Sequence, residues 1–524
     1  MSHTSKIFNK IPVDIPNRSG FDMSFENLLT LSCGSLVPVL CEEVIPNETY
    51  NIGHLTQINL PPLATNAFGR IDLRYEAFFV PNRIIWQGWQ NFWTMPANNP
   101  YGGNVVRPTS VPTFKVTSTD ESFQKKFNRG TLADYLGFKI PNGSSRPTLE
   151  GTLMPFLAYH KIYDDWYRNS KIQVPLYINQ YNPVQNALFS PWNPNTYIVS
   201  KLSDSKLNDG IDVFSLRQRN WSKDYFTTAS LFPQASGDVV GSSVELNTAG
   251  DTTQLSISAL RSANVLQRWL DRNNVAGERY ADQIKAQYGV LPSDALLDRP
   301  LLLGGDTIGV YNRSVYSTSQ TGSSDKNPFA GNVGSSGASA QGFKDGNLVD
   351  NFKATEHGYI IILASLVPHA YYSTGVRRQL SHTKIGDFAI PLLQGLGMQD
   401  IKTKELAYVL GSTETIFGYQ QQYSEYKYHD DEVHGLFTDG ESLSSFALQR
   451  TFTEAPELGT DFLQIPESYL DQITVSTASL GSLGMLDCYI SMKKISPLSE
   501  YVIPTLGDLK NTHKENIQYG GRQL

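Results

Sequence analysis

The densest group of potential ligands in the chain lies between residues 429 and 434. His429, Asp430, Asp431, Glu432 and His434 place two imidazoles and three carboxylates within six residues. These are ligand types for a divalent cation, and a turn could bring two or three of them together. A solvated loop between strands explains the same composition without a metal. The sequence therefore leaves two interpretations, a weak cation site or a polar surface loop.

Other residues with catalytic potential lack the spacing that catalysis requires. Asp164 and Asp165 are adjacent, and adjacent helical positions point apart, which argues against a shared acid–base role. The sequence has no Gly-Lys-Ser/Thr phosphate loop, and Gly395-Leu396-Gly397 lacks the third glycine of a dinucleotide loop. Three cysteines without a Cys-x-x-Cys pair predict inert thiols rather than zinc ligands. The sequence thus predicts neither an enzyme nor a protein with a cofactor.

Two groups of basic residues are candidates for contact with nucleic acid. One group lies in the first twenty residues, which contain a single acidic residue. The other surrounds Trp221 and Tyr225, and this mixture of cations and aromatic rings can bind phosphates and stack on bases. For any one of these residues we prefer the interpretation as a solvated or salt-bridged surface charge. The candidate DNA contacts are Lys6, Lys10, Arg18, Arg217, Arg219 and Lys223.

The elements that must position these residues are mostly β-strands. Residues 70–80 alternate apolar and charged side chains, which predicts a half-buried strand. Residues 31–43 are β-like, and Pro38 within them predicts an edge strand or a bulge. Further β-like runs cover residues 358–367, 415–428 and 484–492. Because strands and helices do not alternate regularly, the pattern favours a sandwich with large insertions over a βαβ fold.

Fewer segments have helical spacing. Trp86, Trp89 and Trp93 fit one face of a short helix, and residues 155–167 carry aromatic side chains three and four positions apart. Residues 257–272 have the same spacing, and residues 281–288 extend this helical region. We interpret the aromatic stripes as core packing rather than as a cofactor site.

The composition describes a large protein with few charges. Its 524 residues include 18% charged and 11% aromatic residues, with a net charge of −7, which argues against a protein that chiefly coats nucleic acid. Length alone favours two or three domains. Residues 1–30 are polar and without a period, which predicts an extended arm, and residues 317–342 are rich in Gly and Ser, which predicts an exposed loop. The start of the sequence does not resemble a signal peptide, and no apolar run is long enough for a membrane span, so we expect no membrane insertion.

Several segments together resemble the major capsid protein of the microviruses, most closely the gokushovirus branch. The resembling segments occur in the family's order and cover most of the chain. They include residues 15–22, Phe78–Arg83 followed by Trp86 and Trp89, residues 132–137 and 155–168, Arg279–Tyr280 with Tyr288–Val290, Glu356–Tyr359, and Phe417–Gln420.

The resemblance implies a mainly β protein, with a single jelly-roll β-barrel over residues 31–500. Its insertions, at about 96–355, would be rich in loops and helices, with a C-terminal tail at 501–524. It also implies an icosahedral shell of many copies in the virion, assembled in the bacterial cytoplasm around a circular single-stranded DNA genome. The implied partners are the chain itself, that DNA on the inner face, small DNA-binding and pilot or scaffolding proteins, and a host cell-surface receptor. The outer protrusion of this branch would be built by residues 200–250 or by residues 317–342.

One alternative from a different class fits the same fold. Jelly rolls are common in lectins and glycosidases, and aromatic-rich loops can stack on sugar rings. A carbohydrate-active protein of this kind would need a pair of carboxylates about 5–9 Å apart in a cleft. The sequence offers no obvious pair, so we prefer the shell protein.

Overall fold

The computed structural model describes residues 18–500 apart from a set of gaps. These gaps are 64–66, 95–107, 109, 117–120, 139–147, 177, 179–180, 183–186, 189–197, 200–204, 234–256, 277–278, 291–292, 295–296, 317–335, 410–412 and 475–482. The candidate contacts Lys6 and Lys10, the predicted tail at 501–524 and most of the predicted loop at 317–342 lie outside the described residues.

Strands dominate the described part of the chain. They are β1 Ser19–Asp22, β2 Phe25–Leu31, β3 Val37–Val44, β4 Thr49–Asn59, β5 Ile71–Pro81, β6 Thr113–Val116, β7 Leu149–Thr152, β8 Tyr181–Asn182, β9 Ala187–Leu188, β10 Ile198–Val199, β11 Leu301–Tyr316, β12 Ser336–Lys353, β13 Gly358–Pro368, β14 Tyr371–Tyr372, β15 Met398–Lys402, β16 Ile416–Gln421, β17 Asp431–Glu432 and β18 Gly484–Ser496. Most of the paired residues belong to one antiparallel sheet.

The helices are fewer and mostly short. They are α1 Asn82–Ile85, α2 Trp89–Thr94, α3 Glu121–Gln124, α4 Leu132–Tyr135, α5 Met154–Ile162, α6 Ile257–Ala276, α7 Tyr280–Tyr288, α8 Thr403–Leu406 and α9 Thr460–Leu463. A π-helical turn, Tyr163–Tyr167, continues α5. Among the described residues, no helix has both the length and the apolar character needed to cross a bilayer.

The main sheet has nine strands in the order β1-β18-β4-β12-β11-β5-β13-β3, and β2 pairs with β18 next to β1. All of these pairs are antiparallel. The sheet curls because its long strands bend from one half into the other. β11, for example, pairs with β5 over residues 301–310 and with β12 over residues 311–316. The architecture is mainly β with long insertions, of the jelly-roll type that the resemblance implies.

The curled sheet encloses an apolar core and brings its two end strands together. Along β4 the side chains alternate, with Tyr50, Ile52 and Ile58 fully buried and their neighbours facing outward. At the seam, the amide nitrogen of the Asn27 side chain donates to the Val39 carbonyl at 2.9 Å. Enclosing the apolar face between the two halves of one sheet leaves the outer face of β4 and β18 in contact with solvent.

A second core covers the other face of β5 and β13. Phe114, Phe123, Phe127, Phe156 and Phe214 are all buried there, with ring centroids between 4.8 and 5.8 Å apart for the pairs that include Phe214 or Phe127. Edge-to-face and tilted contacts at these distances are favourable because the positive ring edge meets the negative ring face. This aromatic layer fixes α5 against the sheet, as the aromatic spacing of residues 155–167 predicts.

The second core corrects two sequence-based predictions. β5 is not half-buried: Phe78 and Val80 pack into the second core while Leu73 and Tyr75 face the first, so both faces are covered. The three tryptophans do not share one helix either. Trp86 ends α1 and is buried, whereas Trp89 and Trp93 lie on α2, because the chain leaves the helical conformation at Trp86.

Two segments predicted to be unpatterned contain strands. Within the predicted arm at 1–30, residues 19–22 form β1 and residues 25–30 lie in β2. Both strands pair with β18, and Leu29 lies in the first core. Residues 336–342 of the predicted loop belong to β12, and Ala340 is fully buried. β1 and β2 pair with a strand more than 450 residues away, and residues 336–341 pair with β11, so neither pairing is visible in the composition of the segment itself. The prediction of an edge strand or a bulge at Pro38 is confirmed, because β3 is an end strand and its register with β13 shifts next to Pro38.

Candidate nucleic-acid interface

A basic cleft lies where α5 ends against the outer side of β5. The π-helical turn widens the end of α5 and presents Trp166 and Tyr167 to a cavity of about 620 Å³. The far wall is formed by the chain at residues 219–223 and by the end of α6. Six cationic side chains and one carboxylate line this basic cleft. The cations are Arg74, Arg168, Lys171, Arg219, Lys223 and Arg279, and the carboxylate is Asp282.

Arg219 is held rigidly in the wall of the basic cleft. Its guanidinium donates two hydrogen bonds to Glu76, at 2.6 and 3.1 Å, and one to the Ser365 hydroxyl at 3.0 Å. It also lies over the ring of Tyr167, 5.1 Å from the centroid, and the Tyr167 hydroxyl donates to Glu76. Burial alone would raise the pKa of Glu76, but the Arg219 guanidinium and the Tyr167 hydroxyl hold that pKa below its usual value.

Arg168 and Arg279 are neutralised to different extents. Arg168 pairs with Asp164 at 2.6 Å, whereas Arg279 donates to the backbone carbonyls of residues 164, 165 and 168. Carbonyl oxygens satisfy the N–H groups of Arg279 without cancelling its charge. Burial and the nearby Arg168 accordingly lower the pKa of Arg279. The net result is positive charge in the floor of the basic cleft.

Arg74 and Lys223 add further positive charge to the basic cleft. Neither forms an ion pair within 4 Å in the described part of the chain, and Lys223 is exposed. The Arg74 Nε is buried without a hydrogen-bond partner among the described residues, and burial, followed by repulsion from Arg219, lowers the Arg74 pKa. Cations beside partly exposed aromatic rings, here Trp166 and Tyr167, are suited to binding a phosphate backbone and contacting bases.

The structure sorts the predicted DNA contacts into different places. Arg219 and Lys223 line the basic cleft, as their spacing around Trp221 suggested. Arg217 does not: its residue is only 2% exposed, and its guanidinium contacts Asp209, His160 and the Tyr163 ring within the second core. We correct that assignment, because contacts with His160 of α5 and with the Tyr163 ring hold the Arg217 guanidinium inside the second core. Arg18 lies elsewhere, donating to the Asn47 carbonyl and the Thr49 hydroxyl at 2.8 Å.

Four cations of the basic cleft were not identified from the sequence. They come from β5, from the chain after the π-helical turn and from the start of α7. Because they are not grouped in the sequence, no local cluster of basic residues indicates them. The charged face of residues 70–80 was the only usable signal, since it included Arg74. The residues missed are Arg74, Arg168, Lys171 and Arg279.

The predicted ligand cluster at 429–434 does not converge. Asp431 and Glu432 form β17, beside β14, and Glu432 pairs with Arg377 and accepts from His434 at 3.0 Å. Asp430 accepts from the Tyr225 backbone N–H at 3.3 Å, and His429 bonds to the carbonyl of residue 430. Across the described residues, no group of three or more His, Cys, Asp or Glu side chains is arranged to hold a metal ion. The acidic pair Asp164 and Asp165 likewise separates, toward Arg168 and Lys161.

The Asp430 carboxyl instead makes stability depend on pH. Burial, and then repulsion from Asp224, raise the pKa of Asp430 to about 6. The folded protein therefore holds a proton that the unfolded chain releases near pH 4, so ionised Asp430 costs stability above about pH 6. We expect Asp430→Asn to raise the free energy of unfolding by about 1–2 kcal/mol at pH 8, after allowing for solvent screening.

The gain from Asp430→Asn should disappear below about pH 4, where the aspartate is protonated in both states. Thermal unfolding of the parent and the variant at pH 4 and pH 8 measures this difference. The neighbouring Asp431→Asn is the matched control, because Asp431 is exposed. An equal gain at both pH values would contradict the assignment of the effect to ionisation.

Comparison with known proteins identifies the family. The family model "Capsid protein (F protein)" matches residues 9–506. The chain is similar to "Capsid protein VP1" of Bdellovibrio phage phiMH2K, with 26% identity over 96% of this chain and 98% of that protein. It is also similar to "Capsid protein VP1" of Chlamydia phage 1, with 24% identity over 95% and 97% of the two chains. The corresponding protein of Spiroplasma virus 4 is 23% identical over 88% and 90%. Since the family model spans nearly the whole sequence, and the curled antiparallel sheet fits a viral shell subunit, this chain belongs to the phage capsid protein family of the F protein.

Proposed function

We propose that this capsid protein encloses a circular single-stranded DNA genome and that its basic cleft contacts that DNA on the inner face of the shell. The structural role follows from family membership, which also decides against the carbohydrate-active alternative. The observation that supports the DNA contact is the composition of the basic cleft, in which six cations and one carboxylate meet in a chain whose net charge is −7. A local positive site in an acidic protein is suited to polyanion binding through release of counterions.

The shape of the basic cleft fits single-stranded rather than double-stranded nucleic acid. Trp166 and Tyr167 are partly exposed among its cations, and stacking needs bases that are not already paired. The bidentate pair of Arg219 with Glu76 fixes one wall, so this part of the binding surface is already ordered before DNA arrives. The cleft therefore recognises the backbone and the base faces, without a demand for a particular sequence.

Removing Arg74 and Lys223, two cations of the basic cleft that form no ion pair among the described residues, tests the DNA contact. We expect Arg74→Gln combined with Lys223→Gln to lower the slope of log affinity against log salt by about 1.4, because each lost phosphate contact on a single strand contributes ~0.7. Fluorescence anisotropy of the full-length subunit with labelled oligothymidine measures that slope. Particles made from the double variant should also contain less DNA.

The matched control is Lys427→Gln, an exposed lysine that does not line the basic cleft. It should leave the salt slope and the DNA content of particles at parental values. An unchanged slope in the double variant, with the parental unfolding midpoint retained, would contradict the proposed DNA contact. It would not affect the assignment to the capsid family.

The other expected partners follow from the same proposal. The shell would form in the bacterial cytoplasm with small DNA-binding and pilot or scaffolding proteins, and its outer loops would contact a host surface receptor. The N-terminal cations Lys6 and Lys10 remain candidate DNA contacts, and residues 200–250 or 317–342 remain candidates for the outer protrusion.

A further inference from the structure

The segment at residues 378–396 exposes an unusual amount of apolar side chain. It consists of three 3₁₀ turns, Arg378–Ser381, Ile385–Asp387 and Pro391–Leu396. The exposed fractions are 78% for Leu380, 84% for Ile385, 53% for Phe388, 89% for Leu392 and 72% for Leu396. Side chains of this size leave several hundred Å² of apolar surface in water within nineteen residues of chain, as much as the largest patch that a soluble monomer ordinarily shows.

The 378–396 segment is nevertheless an ordered structure. Arg378 donates to the Asp400 carbonyl and to Glu405, and Gln379 donates to the Glu425 carbonyl at 3.0 Å. The Asp387 carboxylate accepts the backbone N–H groups of residues 383 and 384 at 2.9 and 2.8 Å, closing the middle turn. The ring of His382 lies 5.4 Å from the ring of Phe388. Because these contacts already fix the segment, a partner would bind it with little further ordering cost.

The charge of the 378–396 segment identifies the chemistry of its partner. Its only charged residues besides His382 are Arg378, Lys384 and Asp387, and the first and last are engaged in the contacts above. The surface is therefore mainly apolar with few charges, which does not suit a polyanion such as DNA. It is typical of the permanent interfaces between subunits, where charged residues are depleted and large apolar side chains are enriched.

We infer that the 378–396 segment is a contact surface between subunits and that a second copy of this chain covers it. This inference rests on the proposed shell function, because a capsid subunit must bury surface against several neighbours of its own kind. In a closed shell the contacts around threefold and fivefold axes are head-to-tail, so the segment meets a different surface of the neighbouring copy. Leu392 and Ile385, the most exposed of its side chains, provide the apolar anchors.

A charge placed at an anchor tests the interface without disturbing the subunit. Leu392→Asp and, separately, Ile385→Asp are expressed together with the other genes of the source genome, and particles are separated from subunits by sedimentation. We expect each variant to give at least tenfold fewer particles, because assembly would bury an unpaired carboxylate. The soluble subunit should keep its parental unfolding midpoint, since both side chains are in water before assembly.

Leu392→Met is the matched control and should assemble at the parental level, because it keeps an apolar side chain of similar volume. Particles of both aspartate variants at parental yield would overturn the inference. Parental yield combined with loss of infectivity would also overturn it, and would assign the segment to a host or accessory protein. Failure of the unmodified chain to form particles under the same conditions would instead contradict the proposed shell function.

Discussion

Replacing Phe214 with alanine should lower the free energy of unfolding by about 3–5 kcal/mol. Phe214 is 1% exposed and its ring lies between 4.8 and 5.6 Å from four other phenylalanine rings. Truncation would leave a cavity that these rings cannot fill, since they are themselves fixed against β5 and α5. Urea unfolding of the isolated subunit, followed by tryptophan fluorescence, measures the loss.

Phe343→Ala is the control for this experiment, because Phe343 is 69% exposed on β12. It should change the free energy of unfolding by no more than about 0.5 kcal/mol. A loss of less than 1 kcal/mol for Phe214→Ala would mean that the second core is loosely packed. The assignment of α5 to a rigid layer behind the basic cleft would then be wrong.

Replacing Glu76 with alanine should cost about 3 kcal/mol of stability. This is the lower end of the loss expected when one partner of a buried ion pair is removed, because the Glu76 side chain keeps 27% exposure. The substitution leaves the Arg219 guanidinium without its carboxylate and removes the acceptor of the Tyr167 hydroxyl. Thermal unfolding of the parent and the variant at pH 7 measures the difference.

An exposed ion pair provides the comparison for Glu76. Glu150 pairs with Lys115, and both side chains are about half exposed. Glu150→Ala should therefore change stability by less than about 1 kcal/mol. Equal losses for the two variants would show that burial adds nothing to the Glu76–Arg219 pair, and the rigid wall of the basic cleft would have to be reconsidered.

The sequence predicted the strands whose own residues show a recognisable apolar pattern. Residues 358–367 and 484–492 are strands because apolar side chains recur along them, and the structure has both as β13 and β18. β1 and β2 were missed because their stability depends on pairing with β18, more than 450 residues later in the sequence. The composition of residues 19–31 gives no information about a pairing partner so far away in the sequence.

The sequence predicted only those residues of the basic cleft that lie close to one another in the chain. Arg219 and Lys223 were identified because Trp221 lies between them, and both line the basic cleft. The same local reasoning included Arg217, whose direction depends on the packing of α5 rather than on its neighbours in sequence. Arg74 and Arg279 come from distant segments, so only the fold brings them together.

The order of strands in the main sheet also governs when the protein can fold during its synthesis. β18 lies between β4 on one side and β1 and β2 on the other, yet it ends at residue 496. A ribosome that adds about 5–20 residues per second reaches β18 roughly 20–90 s after it has made β4. Until then, β1 and β2 of the nascent chain lack their pairing partner β18. Each subunit therefore completes its barrel only after the ribosome has made residues 484–496.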